Sequence, residues 1–329
     1  MTRYILKRIL YMIPVFLGVT LLIFSLLYIT PGDPALTILG NQATDEQLND
    51  LREEMGLNDS FLVRYKNYMV DFLVHQDLGV SYYTGEAVFK TLIERFPTTM
   101  LYNLLAVTIM TLIGVPMGII SAVRQYSWVD TLSRGITILG VSIPSFWLGI
   151  MLILQFSIKL KWFPSSGFYG PMYWVLPSLT LGIISASVIT RTTRSCMLEV
   201  IRQDYIRTAR AKGQVERVVV LKHALRNALI PILTVLGNTI SFNMGGAVIC
   251  ESVFSIPGVG KMMVDAIKNR DFPLVQGGVL FIAIAASVIN LVVDILYAYV
   301  DPRIKSMYSR NKKKKSPKTA VQIKGGSNA

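Results

Sequence analysis

Charge is scarce in this sequence: Asp, Glu, Lys and Arg make up 16% of its 329 residues, whereas hydrophobic residues make up 52%. Ordinary soluble domains are about one quarter charged and less apolar. The mean hydropathy is positive, at +0.48. This balance excludes an ordinary soluble globular protein and indicates that most of the chain has a lipid bilayer as its solvent.

The apolar residues are concentrated in six runs, each near the roughly 20 helical residues that cross a hydrocarbon core. None of the runs has the alternation typical of a β-barrel. The sequence therefore predicts an all-α membrane protein with six transmembrane helices, of which the fourth is the shortest. The runs cover residues 9–30, 101–122, 135–158, 175–190, 229–250 and 279–300.

The distribution of basic residues predicts the orientation of these helices. With the N terminus in the cytoplasm, the inner segments hold 23 Lys and Arg and the outer segments hold 10. Cytoplasmic connections carry such an excess of positive charge. We therefore expect a multi-pass protein of the cell (cytoplasmic) membrane with both termini in the cytoplasm.

This orientation divides the chain into segments. The external loop contains helix signals, including a capping box at Thr44 and Gln47. The predicted segments are a cytoplasmic N terminus (1–8), a first transmembrane helix (9–30), an external helical loop (31–97), a five-helix core (98–300) with an inner loop at 191–228, and a basic, disordered cytoplasmic tail (301–329).

Side chains that support catalysis are equally scarce. The two histidines, His75 and His223, fall on opposite sides of the predicted membrane, so they cannot share a metal ion. Cys196 and Cys250 lie near opposite faces and lack metal-ligand spacing. No serine has a histidine and an acidic partner on its own side. We therefore expect neither a catalytic site nor a bound metal or cofactor in this chain.

The segment 257–261, Pro-Gly-Val-Gly-Lys, resembles a phosphate-binding loop only superficially. A Walker motif needs a glycine five positions before its Gly-Lys step and Ser or Thr after it, but Ser255 and Met262 stand there. The segment also falls on the external side. It predicts a turn between the fifth and sixth helices, and any ATP must be hydrolysed by another polypeptide.

Asp294 is the one ionisable residue that falls well inside a predicted helix. Carboxylates in a membrane are costly and are candidates for function. Two interpretations compete: an ion relay of a secondary carrier, or a structural carboxylate bonded to a neighbouring helix near the cytoplasmic face. The sequence favours the structural interpretation, because no charged partner is evident in the other runs.

The fifth run carries polar and small residues on one face, at steps of four, three and four. This face either lines a translocation path or bonds to neighbouring helices or subunits. The sequence leaves both interpretations open. The residues are Thr234, Asn238, Ser241 and Gly245.

The inner loop 191–228 is longer than a connection in a helix bundle requires. Asp204 is placed to cap a short helix, and Gly213 is placed to end or bend it. Three residues of this helix are small enough for close approach to a partner: Thr208, Ala209 and Ala211. An apolar stripe then leads into the fifth run, formed by Val218, Leu221, Leu225 and Ala228.

Residues 207–213 (RTARAKG) and 223–227 (HALRN) resemble the EAA loop of binding-protein-dependent ABC importers, in the branch of dipeptide, oligopeptide and nickel permeases. The resemblance extends over nearly the whole chain. Arg207 and Thr208 depart from the Glu and first Ala of the usual pattern, and Arg226 stands where many members have Pro. Further similar motifs are RYILKR (3–8), PGDP (31–34), DLG (77–79), SIPSFW (142–147), FSIPG (254–258) and DPR (301–303).

The resemblance implies a type I ABC importer transmembrane-domain fold. It also implies a second, similar permease subunit, two cytoplasmic ATPases that bind ATP-Mg, and an external substrate-binding protein; no nucleic acid is involved. The EAA segment would be a coupling helix seated on one ATPase. The residues implied in coupling are Asp204, Arg207, Thr208, Ala209, Arg210, Ala211, Lys212, Gly213 and His223.

The resemblance makes a dipeptide or oligopeptide the expected substrate. Import of nickel or a metal chelate by the same fold is the alternative. An ion-coupled carrier that uses Asp294 and a purely structural membrane scaffold are less favoured, because neither accounts for the EAA-like loop.

Overall fold

In a computed structural model, the described part of the chain comprises residues 2–40 and 42–300, with the side chains of residues 2–4, 7, 246 and 296–300 excepted. The predicted tail, 301–329, lies outside the described residues. Within the described part the chain forms helices and no strand, and one isolated β-bridge joins Val80 to Ala87. The prediction of an all-α protein is confirmed.

Thirteen α-helices follow one another along the described residues, with three π-helical turns among them. In the N-terminal half they are α1 (Thr2–Ile29), α2 (Pro34–Leu39), α3 (Asp45–Glu54), α4 (Phe61–Val70, extended by the π-turn Asp71–His75), α5 (Val88–Val123), α6 (Trp128–Ser142) and α7 (Ser145–Leu152, extended by the π-turn Ile153–Lys159). In the C-terminal half they are α8 (Pro171–Ile201), α9 (Asp204–Ala211), α10 (Glu216–Val218, extended by the π-turn Val219–Ala224), α11 (Leu225–Val253), α12 (Val259–Lys268) and α13 (Phe272–Val300).

Five of these helices are long and apolar enough to cross a membrane, and a sixth span exists if the bent pair of α6 and α7 counts as one. The fourth run, predicted to be the shortest, belongs to the 31-residue helix α8. The described residues therefore contain five to six spans, as the sequence predicted.

The third predicted span is not one straight helix. The axes of α6 and of the helical segment Ser145–Lys159 differ by 102°. Ile143 is extended, with φ −82° and ψ 124°, and Pro144 follows it. Proline has no N–H for the helix ladder and disfavours the helical conformation of the residue before it. These two residues therefore break the helix.

The tightest seam of the bundle joins α5 to α8. Gly114 and Gly118 lie on this seam with no room for a Cβ atom, which would approach Ile189 Cγ2 to 2.1 Å and Thr193 Cβ to 2.5 Å. Lipid does not drive apolar helices together, so close backbone approach through small residues holds such pairs by van der Waals contact. The GxxxG pair thus positions α8.

A buried ion pair fixes one end of this seam. The Asp130 side chain has no exposed surface and accepts two hydrogen bonds from Arg194, at 2.7 and 2.9 Å. Ser121 Oγ and the Tyr126 amide donate two more, at 2.6 and 3.0 Å. A buried carboxylate is tolerated when it is paired and its oxygens are bonded. This cluster joins α5, α6 and α8 where α8 leads toward α9.

The predicted external segment packs along the first helix through aromatic rings. Its capping box is present, with Gln47 N 3.4 Å from Thr44 Oγ1 and Thr44 N 3.0 Å from Gln47 Oε1. The ring of Phe24 lies 5.4 Å from that of Tyr65, and the ring of Phe16 lies 5.4 Å from that of Phe72. Helix α4 and its π-turn therefore cover one side of α1.

Candidate functional site

The loop between α8 and α11 folds into a compact helical hairpin. Helix α9 is anchored by two residues, Ile206 and Ala209, whose side chains are 0% and 7% exposed. They join a hydrophobic cluster that includes Met197, Val219 and Ala224. Ala209 therefore packs on its own chain, and its small size serves this packing; its role in the approach of a partner stays a prediction.

Asp204 does not cap α9. The capping position belongs to Gln203, which makes no side-chain capping bond, and Asp204 is the first residue of the helix. Its exposed carboxylate lies 3.8 Å from the Arg207 guanidinium. The prediction that Asp204 caps the helix is therefore wrong, although an acid in the first turn still interacts favourably with the helix dipole.

Gly213 ends α9, as the sequence predicted. Its φ is +74°, a left-handed conformation. Its amide donates to the Arg210 carbonyl at 2.9 Å, and the Gln214 amide donates to the Ala209 carbonyl at 3.4 Å. This pair of bonds is a Schellman motif, which satisfies the last carbonyls of a helix and favours glycine.

Two polar contacts close the hairpin beyond Gly213. Arg210 donates two hydrogen bonds to the Glu216 carboxylate, at 3.0 and 2.6 Å. This hydrogen bonding raises the pKa of the Arg210 guanidinium above its ordinary value. His223 Nε2 lies 2.6 Å from Gln214 Oε1. These contacts hold α9 in a fixed orientation relative to the start of α11.

The outward surface of α9 is basic and exposed. Because Ile206 and Ala209 face the core, five other residues at 207–212 lie on the outer side of the hairpin, whereas His223 is half-buried and contacts Gln214. The exposed residues are Arg207, Thr208, Arg210, Ala211 and Lys212. This surface is available to a partner of complementary shape and charge.

The apolar stripe predicted to lead into the fifth span is shifted. Val218 and Leu221 are 42% and 46% exposed, whereas Val219 and Val220 are buried. The π-turn Val219–Ala224 causes the shift, because each of its turns holds one residue more than an α-helical turn. The prediction that Val218 and Leu221 belong to the stripe leading into the fifth span is therefore wrong for these two residues, which lie on the exposed face.

The polar face of α11 divides into two parts. Thr234, Asn238 and Gly245 are exposed, and Phe242 beside them is 79% exposed. Ser241 instead donates to Asn290 Oδ1 of α13, at 2.8 Å. The exposed part fits the path interpretation, and Ser241 fits the interhelical one.

Two further polar contacts surround α11 at the same level. Asn103 of α5 donates to the Ile240 carbonyl at 3.0 Å, and Ser185 of α8 donates to Asn243 Oδ1 at 3.4 Å. Hydrogen bonds of this kind join helices within a membrane. Sequence reasoning missed these residues, because single polar side chains within apolar runs carry no pattern.

Asp294 has a partner that sequence reasoning did not find. The guanidinium of Arg8, on α1, forms an ion pair with its carboxylate. Arg8 begins one candidate span and Asp294 lies one residue before the end of another. The assumption that Asp294 lacks a charged partner is wrong, and the ion pair agrees with a structural carboxylate bonded to a neighbouring helix.

A second acid, Glu251, was also missed because it falls one residue beyond the fifth apolar run. It is fully buried at the end of α11. Thr99 Oγ1 donates to its carboxylate at 2.7 Å and the Lys261 amide at 2.9 Å. A Cβ atom on Gly258 would lie 2.3 Å from Glu251 Oε1. The N terminus of α12 therefore binds a carboxylate, as such termini bind anions.

This cradle explains why residues 257–261 resemble a phosphate-binding loop: glycines and free amides hold an anion, but the anion belongs to the chain itself. The contacts join α5, α11 and α12. The turn predicted between the fifth and sixth spans is thus a structural junction.

We expect Glu251→Leu to lower the free energy of unfolding by ~3 kcal/mol or more, because Thr99 and the backbone amides of Gly260 and Lys261 lose their acceptor. Glu251→Gln keeps one acceptor oxygen and should lose less. Heat-induced unfolding of the purified protein measures both. Glu53→Leu, at an exposed position, is the control, and an equal effect there would contradict the buried role.

Family models match most of the chain. A model described as "Binding-protein-dependent transport system inner membrane component" matches residues 114–306. A second model, described as "Binding-prot-dependent transport system membrane comp, N-term", matches residues 1–103. Together the two matches cover all of the helices in the described residues, apart from residues 104–113 within α5.

Curated relatives are similar over nearly their whole length. A dipeptide transport system permease protein of Alkalihalophilus pseudofirmus is 41% identical, over 93% of this chain and 100% of the relative. A putative peptide transport system permease protein of Brucella abortus is 43% identical, over 93% and 99%. A glutathione transport system permease protein of Escherichia coli is 39% identical, over 93% and 99%.

Solved structures share the fold at low sequence identity. The inward-facing methionine ABC transporter matches with a TM-score of 0.55 and 21% identity, over 64% of this chain and 97% of that chain. An amino acid ABC transporter matches with a TM-score of 0.50 and 17% identity, over 65% and 94%. These matches establish the transmembrane fold of ABC importers for the covered part.

Proposed function

Because this chain belongs to the family of binding-protein-dependent transport system inner membrane components, we propose that it is the permease subunit of an ATP-driven importer of small peptides. The proposed substrate class rests on the names of the relatives, which transport dipeptides, peptides and glutathione. A nickel or metal-chelate substrate is not favoured by these relatives.

The observation that carries the proposal is the rigid hairpin of α9. Its outer surface is exposed and basic, its inner surface is buried on the chain, and its end is fixed by the Schellman motif at Gly213. Such a helix transmits movement: when a partner bound to its outer surface moves, α8 and α11 move too, because α9 is anchored on them. We assign the outer surface to a cytoplasmic ATPase.

The energy of transport comes from that partner. Binding of ATP shifts the permease between conformations only to the extent that the ATPases bind the two conformations with different affinity. The chain itself contributes the coupling surface and the path. In this proposal both termini are cytoplasmic, in agreement with the 23 basic residues assigned to the inner side.

The path is assigned to the exposed polar face of α11, formed by Thr234, Asn238 and Gly245. A second permease subunit would face it and close the passage. The segment 31–97, which holds helices α2 to α4, lies on the external side in this orientation. We assign it to contact with the external substrate-binding protein, and α9 to one of the two ATPases.

Uptake of a labelled dipeptide by proteoliposomes that contain the whole complex tests this function. We expect uptake to require ATP, and Asp294→Asn to keep that requirement, because Asp294, which pairs with Arg8, belongs neither to the outer surface of α9 nor to the exposed polar face of α11. Vesicles without the ATPases should accumulate nothing. Accumulation without ATP that Asp294→Asn abolishes would instead establish an ion-coupled carrier.

A further inference from the structure

An apolar groove runs along the surface between α1 and α13. Its volume is about 480 Å³, and Ser287 is the one polar side chain among the residues that line it. From Ile9 to Leu17 it follows α1 over nine residues, a rise of about 12 Å. That length is close to the acyl depth of one membrane leaflet, about 15 Å.

The two ends of the groove differ in polarity. Phe72 and Leu73, from the π-turn after α4, line it beside Phe16, whose ring lies 5.4 Å from that of Phe72. A second cavity of about 270 Å³ adjoins it toward the N terminus of α1 and shares Met12, Val15 and Ser287 with it. Arg8 and Asn290 line this second cavity.

The polar end presents hydrogen-bond donors. The Arg8 side chain is 45% exposed even though it pairs with Asp294, and a guanidinium has five N–H donors. Ser241 donates to Asn290 Oδ1, so the amide nitrogen is the atom of the Asn290 side chain that can donate to a ligand. Two donors at the membrane end of an apolar groove complement a negatively charged head group on an acyl chain.

We propose that this groove binds a phospholipid with an anionic head group, its acyl chain between α1 and α13 and its phosphate on Arg8 and Asn290. Arg8 is one of three basic residues among residues 1–8, which contain no acidic residue, and this excess of positive charge over Asp294 favours an anionic lipid over a zwitterionic one. Helix α1 packs chiefly on α13, and Ile13 and Val15, which line the groove, are 51% and 55% exposed, so the groove lies on the outer surface of this helix pair. The bound lipid fills a gap that the chain leaves beside its first span.

The first test blocks the groove. Ser287→Phe places a ring in the apolar space, whereas Val288→Phe, at the next residue, points to a 46% exposed position that does not line the groove. Native mass spectrometry of the detergent-purified complex counts the phospholipid that stays bound. We expect one lipid fewer per permease in Ser287→Phe and no change in Val288→Phe.

The second test addresses the head group. Arg8→Gln removes the cation without filling the groove, and Arg8→Lys keeps the charge. In nanodiscs of mixed phosphatidylglycerol and phosphatidylcholine, we expect Arg8→Gln to lower the preference for the anionic lipid about fivefold, the equivalent of ~1 kcal/mol for one cation near the surface. Arg8→Lys should keep most of the preference.

Three results would overturn the proposal. The first is equal lipid retention by Ser287→Phe and the native protein. The second is an anionic preference that Arg8→Gln leaves intact. The third is loss of a second permease subunit, rather than of lipid, from the Ser287→Phe complex, which would assign the groove to a subunit interface. Because all of these readouts measure bound lipid or subunits, they are independent of the transported substrate.

Discussion

The substitution Gly213→Val is expected to abolish peptide uptake while the protein still inserts in the membrane. Gly213 has a φ of +74°, and this left-handed conformation costs a residue with a Cβ atom about 1–2 kcal/mol. A β-branched side chain is the least tolerant, so the last turn of α9 should rearrange and lose its Schellman bonds. Uptake by proteoliposomes and the amount of complex in the membrane measure the two effects.

Gly213→Asn is the matched control for this prediction. No atom lies within 4 Å of the place where a Cβ would stand, so neither side chain meets a steric obstacle. Asparagine adopts the left-handed conformation more readily than valine. We therefore expect Gly213→Asn to keep most of the uptake. Normal uptake by Gly213→Val would count against the coupling role of α9. Equal loss of uptake in both variants would show that any side chain at this position is harmful, whether or not it tolerates the left-handed conformation.

The substitution Gly114→Val is expected to prevent the protein from folding stably. A Cβ at this position would lie 2.1 Å from Ile189 Cγ2 and 2.8 Å from the Ala186 carbonyl oxygen. The carbonyl belongs to the backbone of α8 and cannot rotate away. Overpacking typically costs about 1–3 kcal/mol, and more where the backbone itself must move. Size-exclusion profiles and thermal unfolding of the purified protein measure the loss.

Gly18→Val and Gly135→Val are the controls for the helix seam. Both glycines lie within helices that belong to candidate spans, and a Cβ on either would meet no atom within 4 Å. Both variants should therefore keep the profile of the native protein, while Gly114→Val aggregates. If all three variants behaved alike, the close approach of α5 and α8 would not be what holds the bundle together.

Much of the fold was predictable from the sequence, because membrane insertion depends on local composition. A run of about 20 apolar residues is itself the physical cause of a span, and five of the six predicted runs belong to single long helices. The capping box at Thr44 and the helix end at Gly213 were also correct. Both are signals carried by neighbouring residues.

The break in the third span was harder to predict from the sequence. Pro144 is visible in the sequence, but Pro116, Pro177 and Pro231 lie inside intact helices. Whether a proline breaks a helix depends on what packs against the freed backbone groups. The π-turn Val219–Ala224, which moved the buried face by one residue, is likewise set by packing rather than by composition.

The coupling residues and path residues remain predictions, and the structure changes how they are assigned. Ala209 faces the core and Asp204 is not a cap, so the surface left for a partner is narrower and more basic than the sequence implied. Ser241 belongs to a helix contact and not to the exposed polar face.

By itself, the sequence determined that this chain is a helical membrane protein and which family it resembles, while the orientation that its basic residues indicate stays a prediction. The tertiary structure alone decided which side chains meet. Thr99 and Glu251 are in contact although they are 152 residues apart along the chain, and Arg8 of α1 pairs with Asp294 of α13. The physical reason is that hydropathy sums over consecutive residues, whereas a buried charge is satisfied by whichever distant donors the packed helices bring to it.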